Sequence, residues 1–98
     1  MITLTASQIE RYREDGAIVI EGVLDAPTRT RMNQVLAQLV EKSRAVSQHE
    51  AVFDLEPGHS AAEPRVRRIK SPHLVDRVFD DFVRSHQLLG IVQQLIGP

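Results

Sequence analysis

The chain has 98 residues, with 12 Lys and Arg against 13 Asp and Glu for a net charge of -1, and 42% hydrophobic residues. That is one small globular domain or part of a larger one, and without a basic excess nucleic acid is not the expected partner. There is no cysteine, no basic start followed by an apolar run at the N-terminus, and no apolar stretch near the roughly 20 residues of a membrane helix; a soluble, cytoplasmic chain is expected.

In chain order, Thr5 to Gln8 has the S/T-x-x-E/Q form of a capping box, which predicts a short helix over residues 6–15 with Ile9 and Tyr12 on its buried side. Gly16 is its left-handed stop. Ala17-Ile18-Val19-Ile20 is β-branched, too short for a helix and bounded by Gly16 and Gly22, so it reads as a strand buried on both faces. Asp25 then supplies an N-cap, with Pro27 tolerated in the first turn. Met32, Val35, Leu36, Leu39 and Val40 fall at i, i+3, i+4, i+7 and i+8, which predicts a long amphipathic helix over residues 26–45.

Val52, Phe53 and Leu55 form a short extended run before the turn signal Pro57-Gly58. Residues 65–70 read as a second extended segment, closed by Ser71-Pro72 because a residue before proline avoids the right-handed helical region. Asp76 can cap a short helix carrying Val78, Phe79, Phe82 and Val83. Ser85 can cap a last helix with a broad apolar face of Leu88, Leu89, Ile91, Val92, Leu95 and Ile96, ended by Gly97-Pro98. The class is therefore α+β, mostly helical with two or three short strands. A strand buried on both faces needs neighbours at its edges and layers above and below, which so few strands cannot supply. Together with the very apolar last helix, this predicts a larger body that covers these elements.

The chain carries no complete catalytic constellation. A two-histidine, one-carboxylate iron site takes a His-x-Asp/Glu pair, because strand alternation aims both side chains at one metal. The positions two after His49, His59, His73 and His86 are Ala51, Ala61, Val75 and Leu88. His73 and Asp76 have helical spacing, but His73 follows Pro72 in what reads as a loop. Surface or capping roles are expected for all four histidines. No serine lies in G-x-S-x-G and no glycines form a phosphate loop. Asp80 and Asp81 are adjacent, point to different sides of a helix, and read as a solvated acidic face. The run Arg65-Val66-Arg67-Arg68-Ile69-Lys70 admits three readings: a solvated edge strand whose charge discourages sheet pairing, a phosphate or nucleic-acid patch, or cations that bind a carboxylate inside an active site.

The order of elements narrows this. Leu4-Thr5, Ile9 and the run Tyr12-Arg13-Glu14-Asp15-Gly16-Ala17-Ile18-Val19-Ile20-Glu21-Gly22-Val23-Leu24 resemble the opening of the phytanoyl-CoA dioxygenase family, with Val23 in place of the usual aromatic. So do Arg67-Arg68-Ile69-Lys70-Ser71-Pro72-His73, Val78-Phe79 and the closing Leu88-Leu89-Gly90-Ile91-Val92-Gln93-Gln94-Leu95-Ile96-Gly97-Pro98. The likeness covers nearly the whole chain. It implies a double-stranded β-helix (jelly-roll) oxygenase using Fe(II) and 2-oxoglutarate on a small-molecule substrate, of which residues 1–98 are the N-terminal part of a single domain. In the family pattern the iron ligands and the distal arginine follow the Gly-Pro that closes this chain, so no catalytic or metal residue carries over and the chain alone is expected to bind neither cofactor. What does carry over is a basic residue facing 2-oxoglutarate, with Lys70 the best match and Arg68 on the same strand face. The expected partner is the β-helix core of the same protein, with self-association through exposed apolar surface in its absence. The rival readings are a small non-catalytic helical domain that binds a partner through the face from Leu88 to Ile96, and a nucleic-acid module using Arg65 to Lys70.

Overall fold

A computed structural model of the chain describes residues 2–98. About half of the chain is helical, with one two-stranded antiparallel sheet. Helix α1 spans Ala6–Asp15, and its capping box is formed: the Gln8 N–H donates to Thr5 Oγ1 at 3.1 Å, and the Thr5 N–H donates to Gln8 Oε1 at 2.9 Å. Gly16, at φ 76°, ends it by donating its N–H to Tyr12 O.

The predicted strand at residues 17–20 does not form. The segment has no regular secondary structure and pairs with nothing among the described residues, and Val19 is 90% exposed rather than buried. β-Branched character favours an extended backbone, but a strand exists only where another edge accepts its hydrogen bonds.

Helix α2 spans Ala26–Ser43, two residues short of the predicted end, with the Thr28 N–H on Asp25 Oδ1 at 2.8 Å as its cap. Of its apolar stripe, Val35 and Leu39 are buried whereas Leu36 is 38% exposed. Ser43 is fully buried, and its hydroxyl is satisfied by donating to Val40 O. Strands β1 (Phe53–Leu55) and β2 (Val66–Ile69) pair antiparallel, with Phe53 opposite Ile69, Asp54 opposite Arg68 and Leu55 opposite Val66. That register leaves Arg67 as an extra residue. Val66 and Ile69, three apart, would face opposite sides of a regular strand; the bulge lets both pack on the core.

Three short helices follow: α3 (Pro72–Val75), α4 (Arg77–Val83) and α5 (His86–Ile96). Ser71 before Pro72 does avoid the right-handed region, but it enters the left-handed one at φ 47°, the one non-glycine with positive φ among the described residues. His73 lies in α3 and not in a loop. Asp76 caps α4 through Val78 N–H, and Ser85 caps α5 through Leu88 N–H.

Two packing centres result. Val35, Leu39, Phe53 and Leu55 form the main one, flanked by Val75, Val78 and Phe79. At the other end Leu4 and Ile91 are buried where the N-terminal residues and α1 meet α5. Gln94 ties them by accepting from Leu4 N–H at 2.8 Å and donating to Ile2 O at 2.9 Å. The molecule measures 49 × 28 × 21 Å with a radius of gyration of 16.9 Å, against roughly 13 Å for a compact chain of this length. No helix among the described residues is long and apolar enough to cross a membrane.

Candidate functional site

Alternation along β1 sends Phe53 and Leu55 into the core and Asp54 to the opposite face. Arg68 lies directly across from Asp54, and Lys70, two residues on, shares its face; the Lys70 N–H extends the ladder by donating to Val52 O at 2.7 Å. Both predicted site residues therefore converge on one carboxylate. Arg68 Nε donates to Asp54 Oδ2, and Lys70 Nζ stands 3.3 Å from Oδ1. The Asp54 side chain is 12% exposed, against 37% for Lys70 and 71% for Arg68. The hydrogen bond from Arg68 holds the Asp54 carboxyl below the usual carboxylate range; desolvation opposes this and Lys70 reinforces it. Two cations on one anion leave a single positive charge at a half-open site, which suits a further carboxylate or other small anion.

The rest of the basic run is matched within the chain. Arg65 lies 3.5 Å from Glu63, and Arg67 lies 3.9 Å from Glu56. Each of the four cations thus has an acidic neighbour, and no free stripe of positive charge is presented of the kind that tracks a nucleic-acid backbone.

The histidines do structural work at two of their four positions. His49 Nδ1 accepts the Leu55 N–H at 3.1 Å; in that tautomer its 3.7 Å approach to Asp54 is not an ion pair. His59 Nδ1 accepts the Arg65 N–H at 2.8 Å, which places its hydrogen on Nε2, where it is shared between Ser43 O at 2.9 Å and Val46 O at 3.0 Å. This ring joins the end of α2 to the start of β2. His73 and His86 are exposed. Asp76, three residues from His73, is engaged as a helix cap. Among the described residues no three His, Cys, Asp or Glu side chains are placed to hold a metal ion together. Asp80 and Asp81 form separate i,i+4 pairs with Arg84 and Arg77 at 3.0 and 3.4 Å.

Sequence reasoning placed Arg68 and Lys70 on one face but missed Asp54, the residue that organises them, and the role of His59. The signal for Asp54 was its position as the lone charge between Phe53 and Leu55. His59 offered none, since its partners are backbone atoms from distant segments. Comparison of the chain with protein-family models, with curated proteins and with solved structures finds no match.

Proposed function

We propose that these residues are the N-terminal segment of an Fe(II)- and 2-oxoglutarate-dependent dioxygenase of the phytanoyl-CoA dioxygenase type, a scaffold that packs against a β-helix core which hydroxylates a small organic substrate. The observation that carries the reading is uncovered surface. The chain exposes 7238 Å², whereas a compact globule of 11.0 kDa exposes roughly 5,600 Å², an excess of roughly 1,600 Å². The unpaired residues 17–20 lie where the resemblance calls for a sheet strand. Lys70 and Arg68 would hold a 2-oxoglutarate carboxylate with the positive charge that Asp54 leaves over. In the family pattern the iron ligands follow the closing Gly-Pro, so in this reading iron chemistry belongs to the remainder of the proposed enzyme.

The test is the coding sequence downstream of Pro98 and the protein it encodes. A His-x-Asp pair within about 60 residues, with a later His and Arg, is the expected ligand pattern. The extended protein should release succinate from 2-oxoglutarate, and Lys70→Met should raise its KM for that cosubstrate. A stop codon after Pro98, or succinate formed by the 98 residues alone, would refute the reading. The second reading, a non-catalytic domain that docks a partner through α5, draws on the exposure of Leu89 at 52% and Ile96 at 69%.

A further inference from the structure

We infer that residues 17–20 are a pairing edge through which two copies of this 98-residue chain associate as antiparallel strands about a twofold axis. The inference concerns the chain by itself and does not rest on the oxygenase reading. Ala17, Ile18, Val19 and Ile20 belong to no helix, turn or strand, and none of their backbone N–H or C=O groups has a hydrogen-bond partner among the described residues. Val19 is 90% exposed. Edge strands in stable monomers are protected by a charge, a proline or a bulge; this segment has none of the three. Gly16 and Gly22, at φ 76° and 74°, turn the chain at both ends and confine pairing to the residues between them.

Charge selects the arrangement. Parallel in-register pairing would set Asp15 on Asp15 and Glu21 on Glu21, which is repulsive. Antiparallel pairing with Val19 opposite Val19 sets Ile18 opposite Ile20 of the second copy. It also brings Glu21 of the second copy opposite Ala17. There a groove of about 430 Å³ runs between α1 and this segment, lined by Gln8, Arg11, Ala17, Ile18 and Val19. Neither Arg11 nor Glu21 forms an ion pair among the described residues. The twofold axis brings the two together twice, and apolar residues oppose one another in between. A second copy therefore supplies both the missing hydrogen bonds and the missing countercharge.

Sedimentation velocity of the full chain from about 10 µM to about 1 mM, a range that separates weak association from none, should show a monomer–dimer equilibrium. Val19→Pro should remain monomeric throughout. Its far-UV circular dichroism and urea midpoint should match the parent, since the Val19 N–H donates to nothing within the described chain; Val19→Lys should behave alike. Arg11→Glu and Glu21→Arg should each weaken the dimer roughly 2- to 30-fold, two exposed pairs being lost per dimer, and the double variant should restore it. A parent chain that stays monomeric at the highest concentration would overturn the inference. So would a dimer indifferent to Val19→Pro, or one abolished instead by Val92→Glu on α5.

Discussion

Leu36 and Leu39 belong to one apolar stripe on α2, and by spacing alone they are equivalent. The structure separates them: Leu39 is 5% exposed among Val35, Phe53 and Leu55, whereas Leu36 is 38% exposed. Leu39→Ala removes three carbons from that cluster. At about 0.8 kcal/mol per buried carbon the transfer loss is about 2.4 kcal/mol, and an unrelaxed cavity raises the cost to about 3–5 kcal/mol. Leu36→Ala removes the same atoms where solvent already reaches, leaves no closed cavity, and should cost about 1 kcal/mol. Helix propensity changes identically in both, so it cancels from the comparison. Urea denaturation followed by circular dichroism at 222 nm reads the difference directly, provided the slopes of the two transitions agree. Equal costs for the two substitutions would refute the reasoning, because Leu36 would then be as deeply covered in solution as Leu39.

Two further outcomes follow from the candidate site and its support. The Asp54 carboxyl is held below its ordinary value of 3.8 by Arg68, so its contribution to stability is present above that value and is lost as pH falls through it toward the depressed one. Asp25, lowered by hydrogen bonds from Thr28, acts in the same direction. Urea midpoints measured from about pH 6 to about pH 2 should fall less steeply for Asp54→Asn than for the parent, with Asp25 accounting for part of the remainder; parallel curves would contradict the pairing. His59→Ala removes the link between α2 and β2 and should cost about 1–3 kcal/mol. Amide exchange should rise at Arg65, whose N–H loses its acceptor, and unchanged protection there would count against the assigned tautomer.

Much of the local structure was legible because its causes are local. Thr5 and Gln8 cap α1, Asp25 and Pro27 start α2, and Asp76 and Ser85 start α4 and α5, each through contacts within a few residues. Strand alternation likewise put Arg68 and Lys70 on one face. The misreadings arose where a long-range partner decides. Residues 17–20 have strand composition but no edge to pair with. His59 reads as a surface histidine until Ser43, Val46 and Arg65 meet around it.

The sequence by itself determined where α1, α2, α4 and α5 begin, which residues are apolar enough to seek burial, and that the basic run is extended. Those features depend on hydrogen bonds and steric preferences spanning one turn or one pleat. Only the tertiary structure decided which half of the α2 stripe is covered and that a bulge at Arg67 turns both Val66 and Ile69 inward. It alone showed that Arg68 and Lys70 share Asp54, since the register of β1 against β2 depends on the bulge at Arg67 and on the packing of both strands against the core. The contrast is sharpest at residues 17–20: their β-branched composition favours a strand, but a strand needs a second edge, and the segment has none among the described residues.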